Sequence, residues 1–235
     1  MSDSTTCKLC VQEKEISKSH IIPEWAYRTL YDDKHKFYEL GSKPDGARKI
    51  KRKGEYENLF CTDCETQLSK LDEYARAIIF GRSDEPHFGI STTGVNGTLV
   101  IENVDYVRMK LFQLSILFRA GVSQRAFFSK VRLGTHEDRI RLMLLDENPG
   151  APYEYGCIMV AFLNKSGKLL VEVMQEPILE KVDGHTVYKF LFAGCDWWFV
   201  VSRHSNNFKY KDCFLQRNGK LVIPLLPSRN AGFPI

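Results

Sequence analysis

The sequence predicts an α+β protein in which a small cysteine-stapled N-terminal module is followed by a helix pair packed on an antiparallel β-sheet. Three observations carry this. Cys7 with Cys10 and Cys61 with Cys64 form two CxxC pairs near the N-terminus. In VDYVRMKLFQLSILFRAG, Val107, Leu111, Leu114 and Phe118 fall on one helical face, and the pattern stops at Gly121. From Tyr155 onward, β-rich stretches alternate with turn signals, in the order GCIMVAFL, NKSGK, LLVEVM, VDG, TVYKFLFA and WWFVVS.

Taken along the chain, the first module spans residues 1–82. After the first cysteine pair, a short strand-like piece ends at His20, and Pro23 opens a helix from Glu24 to Tyr31. A KFYEL strand and an extended IKRKGEYENL segment follow, separated by the turn-rich GSKPDG. After the second pair, Leu68, Leu71, Ala75 and Ile78 or Ile79 give CETQLSKLDEYARAIIF the apolar spacing of a helix. Residues 83–98 are rich in glycine, serine and threonine and read as a linker or long loop. The second domain is expected over 99–235. Its second helix starts at Thr135, where THED resembles a capping box with Asp138 in the place of Glu, and runs through RIRLMLL.

Of the 235 residues, 43% are hydrophobic and 26% charged, which permits a sizeable core and excludes a disordered or fibrous chain. MSDSTTCKLC has no basic stretch leading into an apolar run, so no secretory signal is read there, and no later apolar stretch has the length of a bilayer. The expectation is a cytoplasmic protein with no membrane partner. An odd count of seven cysteines agrees with a reducing compartment, where metal ligands and buried thiols replace disulfides. The net charge of +4 is modest, but its distribution is not: Arg48, Lys49, Lys51, Arg52 and Lys53 crowd into RKIKRK. Such a run can meet the phosphates of a nucleic acid, or simply protect a solvated edge.

Each CxxC lets two thiolates reach one ion from a single tight turn. Two such pairs complete a four-cysteine shell of the kind that holds structural Zn²⁺, with no open position for catalysis. The pairs stand about fifty residues apart, so an insertion must loop out between them and return.

That insertion carries a resemblance. SHIIP after the first pair and ENLFCTDCE across the second resemble the HNH family of nucleases, also called His-Me finger or ββα-metal nucleases, in the subgroup held by two CxxC pairs. The resemblance covers roughly the first eighty residues. It implies a zinc-stabilised ββα-metal (HNH-like) module and a metal-dependent endonuclease that hydrolyses phosphodiester bonds, with DNA the favoured substrate. On the matching positions, His20 would be the general base and Asn58 would orient the loop or the His20 ring. Glu65, with Ser19, would hold a catalytic Mg²⁺ or Mn²⁺. Ser19 stands where the family often has an acidic ligand, and Glu65 where it often has His or Asn. The alternative is a catalytically degenerate module that binds nucleic acid without cutting it. The C-terminal domain would recognise a target, a regulatory protein partner or a second subunit in a homo-oligomer.

Other residues read as structural. Cys157, Cys195 and Cys213 lie in apolar surroundings, and a second zinc site from Cys195, His204 and Cys213 has irregular spacing. His35, His87, His136 and His185 are expected on the surface or in turns. Trp197, Trp198 and Phe199 belong to a strand with at least one face in the core, and Ser123 fits a helix start.

Overall fold

The computed structural model describes residues 5–40, 48–81 and 97–227. The GSKPDG turn and the expected linker, up to residue 96, lie outside the described residues.

Strands β1 (Thr5–Thr6) and β2 (Glu13–Lys14) pair antiparallel and close the loop that carries Cys7 and Cys10. Next come β3 (Ile16–His20) and the short helix α1 (Glu24–Tyr27). The helix expected to reach Tyr31 tightens into a 3₁₀ turn at Arg28–Leu30. An antiparallel pair follows, β4 (Phe37–Leu40) with β5 (Arg48–Lys51). Strand β6 (Tyr56–Cys61) returns antiparallel to β3 and runs straight into α2 (Thr62–Phe80). Leu68, Ala75, Ile78 and Ile79 of α2 are buried, as their spacing predicts.

The remainder begins with β7 (Thr98–Ile101), α3 (Tyr106–Val122) and α4 (His136–Leu145). Strands β8 (Cys157–Leu163), β9 (Gln175–Val182), β10 (His185–Phe192), β11 (Cys195–Val200) and β12 (Leu221–Pro227) complete it. Six strands form one sheet in the order β7-β12-β8-β11-β10-β9. The sheet is mixed, which corrects the antiparallel expectation: β12 runs parallel to β8, pairing Leu225 with Ala161. A long return over the 3₁₀ turns at Ser205–Asn207 and Lys211–Cys213 makes that parallel pairing reachable.

Three further expectations are corrected. The strand before VDG is QEPILEKV, whereas LLVEVM contributes only an isolated bridge between Leu163 and Leu169. Leu170 N–H still donates to the Phe162 carbonyl of β8 at 2.8 Å, and the Val171 carbonyl accepts the Thr29 hydroxyl at 2.9 Å. Thr135 precedes α4 but has αR backbone and makes no side-chain cap, so THED does not close a capping box. Ser123 ends α3 instead of starting a helix. Its hydroxyl accepts from Arg125 N–H at 3.1 Å and donates to Glu57 at 2.8 Å.

Helix α3 is the centre of the molecule. Phe118 stacks on Phe60 of β6, and Phe112 meets Trp197 of β11 edge-on. Burial is therefore continuous from Met109 to Ala120, while Val107, expected on the apolar face, is exposed. The outer face of β8, β10 and β11 is covered too, by Phe208 and Phe214 against Ile158, Val160, Val187 and Val200. A strand covered on both faces shows no alternation, which accounts for the uniformly apolar CIMVAFL. Among the described residues no helix is long and apolar enough to cross a membrane.

Candidate metal centre and the His20 cleft

The sulfur atoms of Cys7, Cys10, Cys61 and Cys64 all lie within 4.8 Å of one another, with Cys10 and Cys61 at 3.9 Å. Tetrahedral zinc with Zn–S bonds of about 2.3 Å separates its sulfurs by about 3.8 Å, so the four thiols could bind one structural zinc ion. Cys7 and Cys10 come from the β1–β2 loop. Cys61 ends β6, and Cys64 sits in the first turn of α2. Lys8 N–H donates to the Leu59 carbonyl at 2.9 Å, and Cys61 N–H to Cys7 Sγ at 3.3 Å, joining the two halves. From α4, Arg141 Nη1 reaches the Leu9 carbonyl at 3.0 Å. Burial pushes the Cys7 thiol up, but backbone N–H groups at Cys61, Cys10 and Leu9 outweigh it and bring the thiol down to about 7. Such N–H groups favour thiolate, the form that binds metal. Among the described residues this is the only cluster of three or more metal-ligating side chains, so Cys195, His204 and Cys213 do not assemble a second.

The β3–β6 ribbon sorts the other expected site residues onto two faces. Its register slips by one residue between Ser17 and Lys18, which sets Lys18 opposite Asn58, Ser19 opposite Glu57 and His20 opposite Tyr56. Alternation then turns Ser19 inward and Lys18 and His20 outward. The inward Ser19 is fully buried and donates its hydroxyl to Glu65 Oε2 at 2.6 Å. Burial holds the Glu65 carboxyl above the usual range, and the Ser19 hydrogen bond opposes that shift. Ser19 and Glu65 thus meet, whereas His20 faces the other way. Asn58 is exposed, and among the described residues no hydrogen bond links it to His20.

His20 opens onto a cleft of about 520 Å³ whose lining includes the cations of Lys18, Lys34, Arg52 and Lys53. Among the described residues Glu24 is the one carboxylate on its lining, and its Oε2 lies 2.9 Å from His20 Nε2. A carboxylate accepts, so Nε2 carries the proton and Nδ1 keeps its lone pair. Burial lowers the His20 pKa below the ordinary histidine value, and Glu24 opposes the shift, so the ring is neutral near neutral pH. Beneath the strand end, Arg119 forms a buried two-pronged pair with Asp72, both bonds at 3.0 Å, and also donates to the His20 carbonyl at 3.3 Å. That bond fixes the backbone from which the imidazole projects.

Of the basic run, Arg52 and Lys53 line the cleft, Lys51 pairs with Glu55, and Arg48 and Lys49 belong to β5. Lys18, Glu24 and Lys34 escaped the sequence reading. Two signals were visible: Lys18 shares a strand face with His20, and Glu24, four residues on, opens α1 directly after Pro23. No family model, curated protein or solved structure matches this chain.

Proposed function

We propose that the N-terminal module is a zinc-stapled endonuclease of the HNH type, hydrolysing phosphodiester bonds of nucleic acid, with DNA the favoured substrate. The observation that supports it is the His20–Glu24 pair set in a cleft that four cations line among the described residues. The backbone phosphates of a nucleic acid satisfy those cations. With Nε2–H held by Glu24, Nδ1 takes a proton from water as the water oxygen attacks phosphorus. The scissile P–O bond then breaks toward the leaving oxygen.

The donors do not fit a preassembled Mg²⁺ or Mn²⁺ site on this cleft. Ser19 is neutral, buried and bonded to Glu65, and that pair lies on the opposite face of the ribbon. No step here runs through such an ion. The same Ser19–Glu65 bond favours the second reading, a module that binds nucleic acid without cutting it.

Plasmid nicking by wild type and His20→Ala, with Mg²⁺, Mn²⁺ or chelator, tests the proposal. Wild type is expected to nick, and His20→Ala to be slower by about 100-fold or more. Equal rates would remove His20 from the chemistry. Salt-dependent binding with no cleavage under any condition would establish the second reading.

A further inference from the structure

We propose that His35 is the general acid of the same cleft, supplying the proton that the leaving oxygen takes as the phosphodiester breaks. The inference rests on the reading of the cleft as a phosphodiester site. In sequence His35 is an ordinary turn histidine in YDDKHK, and only the fold brings it to the lining that holds His20.

The loop presenting it is tightly built. Asp32 Oδ1 accepts the N–H groups of Lys34 at 2.9 Å and Lys36 at 2.8 Å. Asp32 N–H donates to the Lys36 carbonyl at 2.7 Å, and His35 N–H to the Asp32 carbonyl at 2.8 Å. His35 itself takes the left-handed backbone, φ 55°. Its ring stacks on Tyr31, with centroids 3.8 Å apart and planes 18° from parallel. The Tyr31 hydroxyl donates to Glu24 Oε1 at 3.2 Å, while Glu24 Oε2 holds His20. One carboxylate and one phenol thus join the two imidazoles along a single cleft wall.

The two rings are suited to opposite tasks. His20 is recessed and has Nε2 committed to Glu24, which leaves Nδ1 as an acceptor. His35 is exposed at the rim, and among the described residues no hydrogen bond occupies its ring nitrogens. Of the side-chain types lining the cleft, imidazole is the one that gives and takes protons readily near neutrality. The step balances: water oxygen bonds to phosphorus, and its proton goes to His20 Nδ1. The P–O bond to the leaving nucleoside breaks, its electron pair stays on that oxygen, and the oxygen takes a proton from the His35 imidazolium, which is left as the neutral ring. Exchange with solvent then restores both rings.

A change of leaving group provides the test. Asparagine tolerates positive φ, so His35→Asn keeps the loop, and unchanged zinc content and circular dichroism verify the fold. The variant is compared with wild type on an oligonucleotide and on a p-nitrophenyl ester of a nucleoside phosphate, whose nitrophenolate departs without a proton. His35→Asn is expected to lose about 100-fold on the oligonucleotide and to stay within about threefold of wild type on the nitrophenyl ester. Equal loss on both substrates, or no loss on either, would overturn the role. Wild type inactive on both would instead overturn the phosphodiesterase reading, and the His35 role with it.

Discussion

The buried hydroxyl of Ser19 donates to Glu65 Oε2 at 2.6 Å, tying the end of β3 directly to the first turn of α2. At this junction the HNH resemblance expects a divalent cation. A hydroxyl is a donor that a carboxylate can use directly, so the Ser19–Glu65 bond by itself joins strand to helix.

Two substitutions at Ser19 separate a closed junction from a latent cation site. Ser19→Ala leaves Glu65 buried without its donor and is expected to cost about 1–3 kcal/mol in denaturant unfolding. Ser19→Asp places two carboxylates together. Its melting temperature is expected to fall in chelator and to recover with Mg²⁺ or Mn²⁺, as ligand binding to the folded state requires. A Ser19→Asp protein indifferent to both ions would show that the junction cannot take a cation.

The cleft cations make a separate prediction. Arg52 and Lys53 are exposed and line the cleft without a role in the core. Replacing either by Ala is expected to lower the slope of log affinity against log salt by about 0.7–0.9, the contribution of one phosphate contact. Fluorescence anisotropy with a labelled oligonucleotide at several salt concentrations measures it. An unchanged slope would take nucleic acid out of the cleft.

Much of this was legible in the residues. The cysteine pairs carry their own geometry, because a CxxC turn delivers two sulfurs wherever it lies. The α2 face was readable for a similar reason: its Leu68, Ala75 and Ile78 spacing reflects burial on one side only. Helix α3 was half legible. A one-sided reading put Val107 in the core and left Lys110, Gln113 and Arg119 unexplained, yet all three are buried because α3 is covered all round. The Arg119–Asp72 pair joins helices 47 residues apart, and no local pattern announces such a bond. The parallel β12–β8 pairing was hidden likewise, since a strand's periodicity does not reveal its neighbour. The reading of His35 as a surface turn residue holds, but its neighbours were hidden for the same reason. Only the folded chain stacks its ring on Tyr31, which in turn donates to Glu24.

Lys110 gives the fold a pH signature. Its buried ammonium donates to the Tyr155 carbonyl at 2.6 Å, and burial brings its pKa from 10.5 down to about 8. Between those values the unfolded chain binds the proton more strongly, so this residue's contribution makes stability rise with pH across that window. Lys110→Met removes the effect. The stability difference, wild type minus variant, is expected to grow by roughly 3 kcal/mol from below the lower value to above the upper one. Urea unfolding across that range measures it, and a flat difference would contradict the assignment.

The cysteine clamp underlies everything else, because it joins the two ends of the segment that carries His20, Glu24 and His35. Binding a structural zinc contributes about 10–16 kcal/mol, as much as the whole stability of an ordinary domain. Replacing Cys61 or Cys64 by Ser is therefore expected to unfold the module and abolish activity, although neither residue lines the cleft. The most direct test is zinc analysis of the purified chain combined with X-ray absorption at the zinc edge. The account predicts one zinc per chain with four sulfur ligands at about 2.3 Å, lost in Cys61→Ser together with the folded module. A folded chain that holds no zinc, or a zinc shell of nitrogen and oxygen, would contradict it.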